Sequence, residues 1–599
     1  MNKLALWHNA KSEYSYAYDQ NTLHILFRAA KNDIKSAQII FGDPFKWDKN
    51  KEGSSAWGYE TKEMEKRYQS IDFDYFFVEI KPLFHRTKYA FIIHDGNNSF
   101  LYGAQRMIEL THEIKHSDFN DLSAFYNFPY LNHEDLHQTP PWVKNTVWYQ
   151  IFMDRFYSST KNSSLEWGHL PVKNDELYGG DLKGVTQKLE YLADLGITGI
   201  YFTPIFKSPT AHKYDTEDYF MIDPQFGTNE DFGNLVKKAH ALGIKVMLDG
   251  VFNHLGFNHP YFQDVVKFGE KSIYKDCFFI DRYPVVNFNL TKNGKPMYSK
   301  GLILNYKTFA FNPNMPKWNT SNPIVEKYLL NCVTFWIKNY DIDGWRIDVS
   351  NEISHDFLRL VKKVSRQVKK DTFILGENWD SSYPWLHGDQ LDSVMNYSLS
   401  YPLWQYLEHK IDLITFKDML VTYLATTPKN VMENMFNLIG SHDTERIRHR
   451  LHDDIRRVKL ALLLMFFSAG SPNIYYGDEI GLSGAHDPDN RRTMPWDEKN
   501  QDLELKKFVK FLIELRRSHP SLSDYDYHFV DSSICIFKKT KENDEILILI
   551  NNGKKVLLQV PDSLKDCYKN LYTGEIIELH DKIYVEEYQF MILQKESTL

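Results

Sequence analysis

Gly196-Ile197-Thr198-Gly199-Ile200-Tyr201-Phe202 follows the amphipathic, helix-length stretch Leu182 to Leu195, and Lys245-Val246-Met247-Leu248-Asp249 follows the next such stretch, Phe232 to Leu242. Short apolar runs that end in polar or charged residues, each preceded by a helix, read as βα units of a parallel sheet buried on both faces. The same beat recurs at Val325 to Tyr340 with Gly344 to Asp348, and at Phe357 to Val368 with Thr372 to Glu377. Arg457 to Ser468 with Ile474-Tyr475-Tyr476 continues it, and Leu503 to Arg516 reads as the last helix of the series. The expected fold class is α/β, a (β/α)8 TIM barrel over residues 146–515.

One interval breaks the rhythm. Roughly 90 residues separate the strand ending at Asp249 from the one ending at Asp348, far more than a βα loop and helix require. The excess, about 254–322, is expected to be a small subdomain inserted in a loop on the C-terminal face, where barrel enzymes place their sites.

Outside the barrel the texture is different. Residues 1–125 carry short runs such as Thr22 to Ala29, Phe76 to Ile80 and Tyr89 to His94, broken by turns such as Asp95-Gly96-Asn97-Asn98. That pattern suggests an N-terminal β-sandwich. Residues 126–145, ending in Thr139-Pro140-Pro141, read as a linker. Beyond 520, Ser533 to Lys538, Glu545 to Ile550 and Tyr588 to Leu593 suggest a C-terminal antiparallel β-sandwich.

Composition narrows the function. The 599 residues hold 71 Lys+Arg against 79 Asp+Glu, a net charge of −8, and no cationic stripe of the kind nucleic-acid binding needs. The first residues meet Trp7, His8, Asn9 and Lys11 before any apolar run can form, so they do not read as a signal peptide, and no stretch approaches a membrane span. Cys277, Cys332, Cys535 and Cys567 are scattered without metal or disulfide spacing. A cytoplasmic protein is expected. The 37 Tyr, 40 Phe and 13 Trp leave room for sugar-stacking clefts as well as core.

The polar residues at strand ends carry the chemistry. Asp249, Arg346, Asp348, Glu377, His442 and Asp443 all fall at or just after the C-terminal end of an expected strand. In Gly344-Trp345-Arg346-Ile347-Asp348 the period of two sends Arg346 and Asp348 to one face, where the guanidinium stabilises the charged form of a nucleophilic carboxylate. Glu377, on the neighbouring strand, can stand about 5 to 5.5 Å from Asp348, the separation of a retaining glycosidase. Asp249, His254 and His442 could be read as metal ligands, but Asn253-His254 has no HxxxH spacing or paired partner nearby, and neutral imidazoles that hold sugar hydroxyls account for them as well.

Four motifs in order resemble the α-amylase family of glycoside hydrolases, and within it the neopullulanase, cyclomaltodextrinase and maltogenic amylase branch. They are Asp249-Gly250-Val251-Phe252-Asn253-His254, Gly344 to Asp348, Gly376-Glu377-Asn378-Trp379 and Ser441-His442-Asp443. Met315-Pro316-Lys317-Trp318-Asn319 resembles a fifth motif with Trp318 for the usual Leu, Val349-Ser350-Asn351-Glu352 resembles the branch's Val-Ala-Asn-Glu, and Asp487-Pro488-Asp489-Asn490-Arg491-Arg492 matches a further segment. The resemblance implies Asp348 as nucleophile, Glu377 as acid/base and Asp443 as the carboxylate gripping two hydroxyls of the distorted sugar. It implies Tyr214 as an aromatic platform, and His254 and His442 as donors at the same subsite. Trp379, Asn351 and Glu352 are the acceptor-side candidates. Trp318, Trp345, Asp487 and Arg491 complete the substrate-binding set with Asp249 and Arg346.

The implied activity is double-displacement hydrolysis of cyclodextrins, short maltooligosaccharides and pullulan. An α-glucanotransferase, in which a sugar hydroxyl replaces water as acceptor, is the alternative. The resemblance also implies a homodimer through the N-terminal domain. No cofactor is required. Relatives often bind a structural calcium between an Asn-Gly-Asp loop and a later Gly-Gly-Asp; here the first loop reads Tyr157 to Ser164, which leaves Asn162, Gly180 and Asp181 as the remaining candidate ligands.

Overall fold

A computed structural model of the chain describes residues 1–49, 53, 55–111, 116–160, 165–292, 294–299 and 301–596. It divides into two compact units, one of Met1–Gln138, Leu386–Asp389 and Ile411–Met432, the other of Thr139–Trp385, Gln390–Lys410 and Glu433–Leu599. No helix among the described residues is long and apolar enough to cross a membrane.

The second unit is built on eight parallel strands: β1 (Trp148–Ile151), β2 (Gly199–Phe202), β3 (Lys245–Gly250), β4 (Gly344–Ile347), β5 (Phe373–Gly376), β6 (Ser393–Val394), β7 (Phe436–Leu438) and β8 (Ser471–Tyr475). They pair in the order β6-β5-β4-β3-β2-β1-β8-β7, and a parallel bridge between Met395 and Phe436 closes the ring. The expected TIM barrel is therefore present. Its strands are buried along almost their whole length, which explains their continuous apolar runs.

Helices alternate with the strands where caps allow. Helix α1 (Leu182–Leu195) starts at Asp181, whose carboxylate accepts from the Gly184 amide, and stops at Gly196, which adopts φ +99°. Helix α2 (Asn229–Ala241) opens with a capping box between Thr228 and Asp231. Helix α3 (Pro323–Tyr340) combines an Asn322 cap with proline in its first turn, and α4 (His355–Val368) is capped by Ser354. Helix α5 (Tyr397–Leu407) follows β6, and α6 (Leu413–Ala425) precedes β7. Helices α7 (Ile455–Phe466) and α8 (Leu503–Ser518) follow β7 and β8.

Between β3 and α3 the chain makes a helix at Pro260–Phe268 and a small hairpin of Asn289–Leu290 with Pro296–Met297. This insertion packs around Phe262, Phe278, Tyr306 and Trp318. After α8 a six-stranded antiparallel sheet and a two-stranded one enclose Ile536, Leu547, Leu549, Leu558, Val585 and Leu593.

Among the described residues the first unit holds two larger antiparallel sheets, one of four strands centred on Leu23–Ala30 and Phe73–Ile80, the other centred on Ser36–Gly42 and Thr87–His94, and a two-stranded one of Trp47–Lys49 with Ser55–Trp57. Ile25, Phe27, Ile39, Phe76 and Phe91 form its core. Helix α6 belongs to this unit although it lies in sequence between β6 and β7. Asp418 accepts from the Ile71 amide, and the amide of Lys429 donates to the Tyr16 hydroxyl at 2.9 Å.

Candidate active site

Barrel register brings the strand-end residues to one level. Asp249 stands opposite Arg346, and Ile347, the last residue of β4, stands opposite Gly376, so that Asp348 and Glu377 leave adjacent strands side by side. Arg346, wholly buried, is the hub of the group. Its Nη1 donates to Asp249 Oδ2 and to Asp348 Oδ1, both at 2.8 Å, and its Nη2 pairs with Glu377 Oε2 at 2.8 Å. Glu377 also accepts from the Val349 amide at 3.0 Å and from the Trp379 indole at 3.1 Å. Asp348 Oδ2 is different: it is buried without a hydrogen-bond partner, with His254 Nε2 4.0 Å away.

Crowding of like charge sets the electrostatics. Burial, with Glu377 and Asp249 adding to it against the pull of Arg346, pushes the Asp348 carboxyl well above the usual carboxylate range. Burial likewise pushes Asp249 and Asp443 up, with nearby guanidinium groups opposing. Arg346 is thus the group that favours the charged form of these carboxylates against their burial.

A second set of contacts surrounds His442. Gln150 donates from Nε2 to His442 Nδ1 at 2.7 Å, and His442 Nε2 meets both the Tyr214 hydroxyl and, at 3.2 Å, Asp443 Oδ2. The Tyr214 ring stacks on His442 with centroids 5.5 Å apart, and its hydroxyl donates to Asp249 Oδ2 at 3.1 Å. Arg491 pairs with Asp487 at 2.8 Å and with Asp443 at 3.5 Å. Burial, reinforced by Arg491 and Arg346, pushes His442 well below its ordinary value, so it is neutral. Burial also pushes His254 down to about 3.

These residues form the floor and walls of a cleft of about 440 Å³. Tyr214, Asp348, Asn351, Glu377, Trp379, Asp443, Asp487 and Arg491 line it, and Arg346, Asp249, His254 and His442 are buried. Trp379 is held flat against Tyr397, ring centroids 3.9 Å apart. Asn174, His212, Phe309, Met315 and Val349 line it too. Met315 and Val349 fall within motifs already quoted, whereas Asn174, His212 and Phe309 escaped sequence reasoning because they come from irregular loops, where periodicity carries no signal. Gln150, a lone polar residue in an apolar strand, could have been singled out.

Three substrate-binding candidates lie elsewhere. Trp345 points to the helix layer and packs on Phe206 and Phe252, as the alternation of β4 demands. Trp318 is buried in the inserted subdomain, stacked on Phe278 and donating to the Tyr219 hydroxyl at 3.2 Å. Glu352 is exposed and paired with Lys317 at 3.1 Å, outside the lining of the cleft.

The residues do not suit a metal. The guanidinium of Arg346 occupies the centre of the carboxylates where a cation would compete with it. At the candidate calcium position, Asp181 uses its carboxylate to accept from the Ser159 amide and hydroxyl, both 2.9 Å, and from the Gly184 amide that it caps at 2.6 Å. The Gly180 amide donates to the Asp154 carbonyl, and Asn162 lies outside the described residues. No group of three or more His, Cys, Asp or Glu that could hold a metal ion occurs among the described residues.

Two carboxylates on neighbouring strands, held by one guanidinium at the mouth of a parallel barrel beside stacking aromatics, are equipped to break glycosidic bonds. The family model described as alpha amylase, catalytic domain, matches residues 150–519, and that of the alpha amylase N-terminal ig-like domain matches residues 1–132. A cyclomaltodextrinase of Geobacillus thermopakistaniensis is 42% identical, with 96% of each chain covered. A maltogenic alpha-amylase of Bacillus acidopullulyticus is 40% identical over 98% of this chain and 99% of its own. The solved structure of a cyclomaltodextrinase superposes with a TM-score of 0.87 at 36% identity, covering 99% of this chain and 100% of the other. The chain belongs to the α-amylase family of glycoside hydrolases.

Proposed function

We propose that the cleft hydrolyses α-glucosidic bonds of cyclodextrins, short maltooligosaccharides and pullulan with retention of configuration. The observation that carries the reading is the division of labour on Arg346. Nη1 holds Asp348 by one oxygen and leaves the other unpartnered, while Nη2 pairs with Glu377 beside it. In the first step Asp348 attacks the anomeric carbon as the glycosidic C–O bond breaks, and Glu377 gives its proton to the departing oxygen. In the second, Glu377 takes a proton from water, whose oxygen bonds to the anomeric carbon and releases Asp348. Asp443, His442 and Arg491 grip the hydroxyls of the sugar at the cleavage point, Tyr214 supports its ring, and Trp379 with Asn351 faces the acceptor. The preference for cyclodextrins and maltooligosaccharides follows from the likeness to a cyclomaltodextrinase and a maltogenic amylase, and that for pullulan from the likeness to a neopullulanase.

We also read the protein as a cytoplasmic homodimer. Its four cysteines form no disulfide, which suits a reducing compartment. Leu4, Phe45 and Leu83 of the N-terminal unit are 96%, 75% and 75% exposed, apolar side chains that contact with a second copy would cover. Sedimentation of the full chain decides the oligomeric state, and a monomer refutes it.

The test of mechanism uses Glu377→Gln with 5-fluoro-α-glucosyl fluoride, whose leaving group needs no acid. A stable glycosyl ester on the peptide containing Asp348 is expected in the mass spectrum. An ester elsewhere, or β-configured first products from maltotriose with the parent enzyme, refutes the reading.

A further inference from the structure

Gln150 is a polar residue in the apolar strand Trp148-Tyr149-Gln150-Ile151, and its side chain is wholly buried. Trp148, on the same face, packs against Phe373 of β5 and Phe436 of β7 in the barrel interior. Alternation therefore sends Gln150 into the same interior, one layer nearer the mouth. A carboxamide buried there needs a partner, and its Nε2 finds the Nδ1 of His442 at 2.7 Å, across 292 residues of chain.

The surroundings of His442 dictate which of its nitrogens carries the proton. Tyr214 has one hydroxyl proton, and it goes to Asp249 Oδ2, an acceptor fixed by Arg346 and by the Tyr201 hydroxyl at 2.7 Å. Tyr214 must then accept from His442 Nε2. Asp443 Oδ2, facing the same nitrogen at 3.2 Å, makes the same demand. A neutral imidazole protonated at Nε2 has a bare Nδ1, and only a donor can satisfy it. Gln150 supplies that donor, and its Oε1 makes no hydrogen bond.

We propose that Gln150 is a positioning residue that holds His442 in the tautomer whose Nε2–H faces Tyr214, Asp443 and the bound sugar. It touches neither substrate nor reacting atoms. Its role rests on the reading of the cleft given above and extends it inward by one residue. The charged and titratable groups around His442 come from four other elements: Arg346 on β4, Glu377 after β5, Tyr214 and His212 from the loop after β2, and Arg491 after β8, with Asp443 beside it. Two guanidinium groups among them oppose a second proton on the imidazole, so the tautomer, rather than a charge, is what the parent enzyme must control.

The experiment measures kcat/KM on maltotriose for Gln150→Glu and Gln150→Met between about pH 5 and 9. A carboxylate cannot donate to a bare Nδ1. In Gln150→Glu, His442 therefore works only as the imidazolium, which keeps Nε2–H. As pH rises and one proton leaves, the remaining one stays on Nδ1 against the introduced carboxylate, and Nε2 turns bare toward Asp443. The expected result is an alkaline limb at lower pH than the parent's, with kcat/KM falling about tenfold or more across it. Gln150→Met, similar in volume and without a donor, is expected to lose about tenfold at every pH while its limbs stay where the parent's are. Gln150→Glu with the parent's pH profile overturns the proposal. So does a folded Gln150→Met within twofold of the parent, which decides the matter alone if the glutamate variant does not fold. Asp348→Asn, measured in parallel, separates the two readings: if it stays active the assignment of the cleft fails, whereas if it is inactive and the Gln150 variants behave as the parent, only the role of Gln150 fails.

Discussion

Strand β4 carries a buried aspartate at each end, and the two live in opposite electrostatic worlds. Asp343, just before Gly344, is one carboxylate faced by several donors: His240 Nε2 at 2.7 Å, Lys369 Nζ at 2.9 Å, Lys245 Nζ at 3.0 Å and the Val246 amide at 2.9 Å. Asp348, just after Ile347, shares one guanidinium with Asp249 and Glu377. Burial works against the charged form at both ends. At the foot the His240 hydrogen bond and the Lys369 ammonium outweigh it and hold Asp343 well below the usual range, whereas at the mouth burial prevails and Asp348 is pushed up. The difference teaches how to tell structure from chemistry in one strand. A carboxylate with surplus donors is a brace, and a donor with surplus carboxylates marks a site of chemistry.

The largest expected effect breaks the mouth. Asp348→Ala should fold with the parent's thermal midpoint but lose turnover on maltotriose by on the order of 10⁴-fold or more, because nothing else can form the glycosyl ester. Turnover within tenfold of the parent would end the assignment.

Breaking the foot should do the reverse. Asp343→Asn leaves two ammonium groups and a histidine without their shared partner, at a cost of about 2 to 4 kcal/mol in urea unfolding, while kcat of the folded fraction is unchanged. The sign of its pH dependence follows from the depressed folded-state value. The Asp343 contribution is fully present above the ordinary aspartate range near pH 4 and is lost as pH falls through the lower folded-state value. The stability gap between parent and Asp343→Asn should therefore close below about pH 4 and stay constant above it. A gap that persists undiminished at about pH 2.5 would show that shape rather than charge makes the brace.

A smaller effect sharpens the contrast. Asp443→Asn removes one of the crowded carboxylates at the mouth, so at about pH 8 its thermal midpoint should rise by about 1 °C while kcat/KM falls by about 10²-fold. A midpoint that drops would mean that Arg491 and His442 need the charge for folding. The smallest expected effect concerns Asp181, whose oxygens serve Ser159 and Gly184: EDTA should leave both activity and midpoint where they are. Loss of either, restored by calcium, would show that a cation displaces those donors.

The sequence by itself determined the barrel and the placement of carboxylates and a guanidinium at its strand ends. Helix-then-strand spacing, apolar runs and terminal carboxylates are local signals, and each of Asp249, Arg346, Asp348 and Glu377 could be placed on a strand end and a face without knowing its neighbours. The same alternation that put Arg346 inward should have turned Trp345 away from the substrate set, as the structure does. Strands of two and three residues, β6 and β7, are too short to show a period, so they emerged only from pairing. Burial of Trp318 against Phe278 and Tyr219 away from the cleft, membership of α6 in the N-terminal unit and the seat of Gln150 beneath His442 were decided by tertiary structure alone. In each case the deciding partner lies far away in sequence, and the physical reason is the same: periodicity tells a residue which way to face, but only closure of the barrel and packing of the chain decide what it meets there.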